Sequence, residues 1–281
     1  GGSNIEDLDW TETLMREAGR FMGGLSVHCY IKPGEESSGT VFSKDSWYQT
    51  AVNTYEKEAL FRQNMSIMDY YDPEKKILMA VDEWGMWVDN EPGTNNAFLF
   101  QQNTMRSAMS AALMLHIFQK YSERIRLCNL AQTINVLQSI ILTEGPRMIK
   151  TPTYHVFDLF KKHQDADFIP VSWDEKPKTI RMGLPNADIS ASAAENGKIF
   201  VTMVNLSADD STKIALSFAA LKAIKAEGRL MSGEVTAHNT FDNPEAVHID
   251  NMEDIHVHNG EVVVNLPPCA IAAVEVEVGQ A

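Results

Sequence analysis

Two acids and two tryptophans follow an apolar run in the stretch MAVDEWGMWVDNEPG, residues 79–93. Asp82 and Glu83 come directly after the apolar residues, and the two indoles stand beside them. A carboxylate in this place could act as a nucleophile or a base. Two further strand-like runs also end in polar side chains, which are His28 and Tyr30 in one case and Asn129 and Gln132 in the other.

This set of side chains suits the cleavage of sugars. A tyrosine and a histidine can hydrogen-bond a carboxylate or shift its pKa. Amide side chains can hold hydroxyl groups, and indoles can form an apolar platform. Glycosidases usually need two carboxylates, one as the acid and one as the nucleophile or base. The sequence therefore favours Glu83 as a catalytic carboxylate and leaves its partner to be found.

Each candidate also has a simpler structural interpretation. An acid at the end of a strand is more often a solvated loop residue or a helix cap. His28, Trp84 and Trp87 would each fit in a packed core. Because side chains alternate along a strand, Asp82 is predicted to face away from Glu83 and to accept a structural hydrogen bond.

The elements that would position these residues alternate along the first 164 residues. Helices are predicted over residues 11–21, 45–71, 98–121 and 151–164, with Asp9 and Asp45 as caps. Strands are predicted over residues 25–31, 77–83 and 125–131. This alternation predicts a parallel sheet with crossover helices, and functional residues in such folds gather at the carboxyl ends of the strands.

The pattern changes at residue 165. Short strand-like runs separated by turn residues follow, among them KIFVTMVNL, AVHI, EVVVNL and CAIAAVEVEV. Such runs indicate an antiparallel sandwich. The predicted fold class is therefore α/β followed by all-β, with one domain over residues 1–164 and a second over residues 165–281.

Composition restricts the class of protein. Of the 281 residues, 44% are hydrophobic and 22% are charged, so the chain can bury a sizeable core. The net charge of −14 argues against nucleic acid and membrane surfaces as partners. The three widely spaced cysteines are predicted to be reduced and buried. In the segment with His248, His256 and His258, the last two share a strand face, but no Cys or third close ligand completes a zinc pattern, so no metal site is predicted there.

Several segments, in order along nearly the whole chain, carry a family resemblance. They are DWTETLM, LSVHCY, YDPEKK, VDEWGMWVDNEPGTNNAFLFQQNTMRSA, LCNLAQTINVLQSIILTEG, TPTYHVFDLFKKHQDA and AHNTFDNPEAV. They resemble the α-L-arabinofuranosidases of glycoside hydrolase family 51. The resemblance implies a (β/α)8 TIM barrel followed by a jelly-roll β-sandwich. It also implies the removal of terminal α-L-arabinofuranosyl groups from glycans such as arabinan or arabinoxylan, with retention of configuration and without a cofactor.

The resemblance implies a role for each site residue. Glu83, at the end of barrel strand seven, matches the catalytic nucleophile. Tyr30, at the end of strand six, matches a tyrosine that contacts this nucleophile, and His28 belongs to the same motif as a supporting residue. Trp87 matches an aromatic wall of the arabinose subsite. The substrate-binding residues predicted in this way are Trp87, Gln132 after strand eight, and Trp84.

The chain departs from the family pattern at two points. Cys29 stands where the family motif usually has a tyrosine, and its side chain is predicted to point away from His28 and Tyr30. The family's general acid/base, a Glu preceded by Asn at the end of strand four, has no counterpart, because the chain starts after strand five. Asn90 and Glu91 have the same Asn-Glu order, but the matching family loop has no catalytic role. The acid/base is therefore predicted to lie outside this chain.

The predicted function is that of the C-terminal part of a retaining exo-α-L-arabinofuranosidase. Two alternatives stay open, namely an inactive sugar-binding or structural fragment and a related glycosidase of different glycone specificity. The predicted partners are an arabinofuranoside-containing oligo- or polysaccharide, the N-terminal half of the same enzyme and, by resemblance alone, further copies in a homo-hexamer. A cytoplasmic location is favoured, with a periplasmic or secreted one left open.

Overall fold

The structure is a computed structural model that describes residues 3–280, and its architecture is mixed α/β. The first part contains, in chain order, β1 (Ser3–Asn4), α1 (Leu8–Ala18), β2 (Gly24–Ile31), α2 (Lys44–Tyr71), β3 (Leu78–Met86), α3 (Met105–Lys120), β4 (Ile125–Leu130), β5 (Ile141–Glu144), β6 (Arg147–Lys150) and α4 (Pro152–Phe160). Strands β1 to β4 pair in that order as a parallel sheet. Within the described residues this sheet does not close into a barrel.

Strand β2 illustrates how the sequence fits this sheet. Its side chains alternate between buried and more accessible positions along the whole strand. Cys29 is fully buried, and burial raises the pKa of its thiol to about 12. Its neighbours His28 and Tyr30 lie on the accessible face. The predicted orientation of Cys29 is therefore confirmed.

Several element ends differ from the sequence prediction. Helix α1 begins at Leu8, because the Asp7 side chain, rather than Asp9, accepts a hydrogen bond from the Trp10 amide at 3.0 Å. Helix α2 follows Ser43, so Asp45 lies inside its first turn. Helix α3 begins well after residue 98, because the chain before it forms a 3₁₀ turn and an extended loop. Strand β1 and the β5–β6 hairpin are too short to give a periodic signal, and they were not predicted.

The second part of the chain is antiparallel. It contains β7 (Asp167–Ile169), β8 (Ala187–Ala193), β9 (Ile199–Asn205), β10 (Thr212–Leu216), β11 (Leu221–Met231), β12 (Asp250–Asn251), β13 (Ile255–His258), β14 (Glu261–Leu266) and β15 (Ile271–Gln280). One sheet has the order β12-β11-β15-β9-β8-β7 and the other β10-β14-β13. The predicted antiparallel character is confirmed, although the AVHI run is not a strand. The domain division at residue 165 stays a prediction.

The two parts share buried surface. The core around α3 includes Leu206, Met231 and Ile271 from the antiparallel part. The indole of Trp47 on α2 donates a hydrogen bond to the Leu206 carbonyl at 2.9 Å. A second core is formed by side chains of both antiparallel sheets, such as Val274 and Val264. None of the helices within residues 3–280 is long and apolar enough to cross a membrane.

Candidate active site

The site begins with the pairing of β2 and β3. These parallel neighbours bring His28 opposite Glu83 and Tyr30 opposite Gly85, so both strands deliver polar side chains to one edge of the sheet. The register shifts just before this point, because Ser26 pairs with Ala80 and then His28 with Glu83. Strand β3 thus holds one more residue than β2 here, which is the definition of a β-bulge.

The bulge changes the predicted orientation of Asp82. The alternation argument placed its side chain on the face opposite to Glu83, and this prediction is wrong. The hydroxyl of Ser26 donates to Asp82 Oδ1 at 2.6 Å, and His28 Nε2 lies 3.6 Å from the same oxygen. The extra residue interrupts the two-residue period, so both acids reach the accessible face.

Two side chains from β2 contact the carboxylate of Glu83. The hydroxyl of Tyr30 donates a hydrogen bond to Oε1, and His28 Nδ1 lies 3.2 Å from Oε2. Burial raises the pKa of Tyr30, and the hydrogen bond from Tyr30 to Glu83 raises it further, so the hydroxyl remains a donor. The Glu83 side chain is 37% exposed and open to a ligand. The arrangement holds one accessible carboxylate in a fixed orientation.

The two tryptophans occupy different environments. Trp87 is partly exposed and packs edge-to-face on Tyr30, with 5.0 Å between the ring centroids. It therefore lies beside the residue that contacts Glu83. Trp84 is completely buried and packs between Phe118 and Phe157 of the helical layer. The prediction that Trp84 contacts a substrate is wrong, because its ring lies in the core.

The third strand end lies at the same edge. Strand β4 pairs with β3 up to Leu130, and Gln132 follows with an exposed side chain. The backbone amide of Gln132 donates to the Leu137 carbonyl at 2.6 Å, which folds the loop back on itself. The role of Gln132 in binding hydroxyl groups stays a prediction.

The Asn90–Glu91 dipeptide is used within its own loop. Glu91 Oε1 accepts a hydrogen bond from the Gln102 amide at 3.2 Å, and the Asn90 side chain donates to the Asn96 carbonyl at 3.1 Å. These hydrogen bonds fold the segment between β3 and α3 back on itself. They favour the structural interpretation of Glu91 that the sequence suggested.

Two buried residues that support the site were not predicted. Arg106 on α3 is fully buried and donates to the carbonyls of Glu36 and Ser38 at 3.1 and 2.6 Å, so it holds the loop that follows β2. Burial lowers its pKa to about 10. Gln138 accepts from the Met86 amide and donates to the Ser107 carbonyl at 2.7 Å. The sequence signal that could have revealed Arg106 is the presence of an arginine within the apolar run of α3.

The histidines of the antiparallel part do not converge. His248 pairs with Asp250 and His256 with Asp254, each at the surface. In the portion of the chain that is described, no three His, Cys, Asp or Glu side chains are grouped closely enough to hold a metal ion.

Comparison with known families identifies the chain. The family described as the alpha-L-arabinofuranosidase C-terminal domain matches residues 82–270, a stretch that begins at the bulge in β3. The chain belongs to this family.

The relatives of this chain are similar to it over nearly its full length. A Bacteroides ovatus protein described as an intracellular exo-alpha-L-arabinofuranosidase is 38% identical over 98% of the chain. The crystal structure of the GH51 arabinofuranosidase from Xanthomonas axonopodis pv. citri superposes with a TM-score of 0.93 at 38% identity and 98% coverage. An arabinose complex of the alpha-L-arabinofuranosidase from Thermotoga maritima gives 0.79 at 25% identity and 97% coverage.

The chain spans only part of the length of each of these relatives. It covers 55% of the Bacteroides ovatus protein, 57% of the Xanthomonas chain and 56% of the Thermotoga chain. The similarity therefore concerns the C-terminal part of these proteins.

Proposed function

We propose that this chain is the C-terminal part of an exo-acting, retaining α-L-arabinofuranosidase. The observation that carries the proposal is the carboxylate of Glu83, held by Tyr30 and His28 at the accessible end of a parallel sheet. Membership of the alpha-L-arabinofuranosidase C-terminal domain family supports the choice of substrate. The substrate is a terminal α-L-arabinofuranosyl group of an oligo- or polysaccharide.

In the proposed reaction Glu83 attacks the anomeric carbon and forms a glycosyl-enzyme. The Tyr30 hydroxyl and His28 orient the carboxylate so that one oxygen faces the sugar. Trp87 supplies an apolar wall for the ring, and Gln132 binds its hydroxyls. A second carboxylate protonates the leaving oxygen and then activates water. Retaining enzymes hold the two carboxyl groups roughly 5–5.5 Å apart, and this partner comes from the N-terminal half of the intact enzyme.

The fold proposed for the intact enzyme is a (β/α)8 TIM barrel with a jelly-roll sandwich. In it β2, β3 and β4 are strands six, seven and eight. Strand β1, which pairs in parallel with β2, takes the place next to strand six in this proposal. The barrel portion is assigned to residues 1–164 and the sandwich to residues 165–281. A homo-hexamer and a cytoplasmic location complete the proposal, the latter supported by a relative described as intracellular.

One observation favours a second candidate for the chain by itself. Strand β4 is one of the two outer strands of the parallel sheet, and β3 is its sheet partner within residues 3–280. The side of β4 that faces away from β3 can therefore pair with another segment. Without that segment the chain would bind sugar or support structure but would not hydrolyse the glycosidic bond.

The test replaces Glu83 by Ala in the full-length enzyme. We expect the hydrolysis of an aryl α-L-arabinofuranoside to fall by at least about a thousandfold, because the covalent intermediate cannot form. Added azide should restore turnover and yield the β-configured arabinofuranosyl azide. The matched control is Glu91→Gln, which should stay near the wild-type rate. Near-normal turnover of Glu83→Ala would rule out Glu83 as the nucleophile.

A further inference from the structure

A cavity of about 310 Å³ lies where α2 and α3 meet the edge strands of the six-stranded sheet. Its walls are formed by α2, α3 and β8, and the segment from Phe168 to Pro185 forms the remaining side. The volume is at the lower end of the roughly 300–1,000 Å³ typical of small-molecule sites. It therefore suits a single small ligand. Glu83 and its contact residues do not line this cavity.

One polar atom that lines the cavity lacks a partner. Ser190 on β8 is only 2% exposed, and its Oγ has no hydrogen-bond partner among the residues the structure describes. A buried hydroxyl without a partner destabilises the folded state, because its hydrogen bonds to water are lost and not replaced. Asp188, two residues earlier on β8, lines the same cavity and contacts Tyr55 and His116 on the two helices, and alternation places Ser190 on the same face of β8. Both side chains are thus directed toward the helices, and the unpaired Ser190 hydroxyl lies beside the cavity.

The charged groups around the cavity are already paired. Glu58 accepts from Lys120 Nζ at 2.7 Å and from the Tyr121 hydroxyl at 2.6 Å. Asp188 accepts from the Tyr55 hydroxyl at 2.7 Å and is hydrogen-bonded to His116. A charged ligand would have to compete with these pairs, whereas a neutral ligand would not. Each carboxylate keeps unused acceptor positions, so the site favours a ligand with several hydroxyl donors.

Aromatic surface lies next to these polar groups. Trp173 lines the cavity and is 42% exposed, and Phe168 lines it as well. An aromatic face beside carboxylate acceptors and a free hydroxyl offers both apolar and polar contacts to a sugar ring. We propose that this cavity is a second carbohydrate site that binds one neutral monosaccharide of pentose size. This site is separate from Glu83 and does not depend on the proposed glycosidase activity.

The test measures the binding of L-arabinose to the full-length protein by titration calorimetry. The wild type should bind one sugar in the cavity, in addition to any sugar that binds beside Glu83. Trp173→Ala should weaken the affinity of the cavity for the sugar by about tenfold or more, because the indole supplies much of the aromatic surface of the cavity. Trp10→Ala is the matched control, because Trp10 is 41% exposed and does not line the cavity. Sugar binding by Trp173→Ala that equals that of the wild type would overturn the proposal.

A second variant separates binding from folding. Ser190→Ala removes a hydroxyl that has no protein partner, so its thermal midpoint should not fall. Binding at the cavity should nevertheless weaken about three- to tenfold, because one ligand hydrogen bond is lost. Unchanged affinity in this variant would contradict the assignment of Ser190 to the ligand.

Self-association is the competing explanation for the exposed Trp173. Sedimentation velocity of the wild type and Trp173→Ala distinguishes it, because an interface residue would change the oligomeric state. A smaller oligomer with unchanged sugar binding would overturn the proposal. Hydrolysis of an aryl arabinofuranoside by Trp173→Ala should stay at the wild-type rate. The two proposals are separated by two results. Trp173→Ala should lose the cavity site and keep hydrolysis, whereas Glu83→Ala should lose hydrolysis and keep the cavity site.

Discussion

At the scale of single residues, the environment of Glu83 is polar on one side and aromatic on the other. Tyr30 and His28 contact one carboxylate oxygen each, while Trp87 packs against the Tyr30 ring. His28 also lies near Asp82, which accepts from Ser26. Polar contacts therefore connect side chains of β2 with both acids of β3. They restrict the rotation of the Glu83 carboxylate before a sugar binds.

The Tyr30→Phe variant tests this restriction. The ring and its contact with Trp87 are retained, but the hydrogen bond to Glu83 is lost. A hydrogen bond to a charged group contributes roughly 1.5–3 kcal/mol, so kcat/KM of the full-length enzyme should fall about 10- to 100-fold. Steady-state kinetics on an aryl arabinofuranoside measure the effect.

The matched control for that variant is Tyr121→Phe. Tyr121 also donates to a carboxylate, that of Glu58, and burial raises the pKa of its phenol to about 12. Because it lies outside the candidate active site, kcat/KM should not change. An equal loss in both variants would indicate a general effect of removing a buried hydroxyl.

At the scale of elements, the end of β3 combines a bulge with a special backbone position. Gly85 follows the two acids and Trp84 and has φ +154°. A Cβ at this position would lie 3.2 Å from the Ala131 carbonyl and 3.3 Å from Gln138 Oε1. A glycine lets β3 approach the loop after β4 closely enough for Gln138 to bind the Met86 amide.

Gly85→Ala should therefore destabilise the protein by roughly 1–3 kcal/mol. The strain arises from the backbone angle and from the close carbonyl, neither of which can move freely. The midpoint of urea unfolding measures the loss. Gly23→Ala is the control, because nothing lies within 4 Å of a Cβ at that position. Equal midpoints for both variants would contradict the close approach at Gly85.

At the scale of the whole molecule, a buried polar chain joins the helical part to the six-stranded sheet. His116 on α3 contacts Asp188 and, at 2.9 Å, Thr202. Thr202 also contacts His163 at 3.0 Å, and His163 contacts Ser192 at 2.7 Å. Burial, and then the neighbouring His116, lower the pKa of His163 to about 4. The folded state therefore holds this imidazole neutral.

The low pKa of His163 predicts how stability depends on pH. An unfolded histidine has a pKa of about 6.5, so the unfolded chain binds more protons between that pH and about 4. Stability should thus be fully present above about pH 6.5 and should decrease as the pH falls toward 4, by roughly 3 kcal/mol at most. Urea unfolding at several pH values should show a shallower decrease for His163→Gln. His258→Gln, at an exposed position, should keep the wild-type dependence.

The edge of the parallel sheet formed by β4 gives a further prediction at this scale. Strand β4 has β3 on one side and no other sheet strand on the opposite side within residues 3–280. In the full-length enzyme, the N-terminal half should pair with this edge. Hydrogen exchange of the β4 amides should therefore be slower in the full-length protein than in the 281-residue chain. Equal exchange rates would contradict the proposed barrel pairing.

The sequence by itself determined the element types and which side chains meet beside Glu83. Parallel strands with crossover helices, the antiparallel second part and the burial of Cys29 all follow from apolar runs and alternation. The motif around Glu83 also predicted its neighbours Tyr30 and His28, because consecutive parallel strands place their ends together. These features depend on local patterns, which a sequence contains directly.

Only the tertiary structure decided the orientation of Asp82 and Trp84. A bulge in β3 placed Asp82 on the same face as Glu83, and packing against α3 and α4 buried the Trp84 indole. The supporting contacts of Arg106 and Gln138 join backbone groups that are far apart in the chain. Strand register and side-chain packing arise from these long-range contacts, so a two-residue period read from the sequence could not predict them.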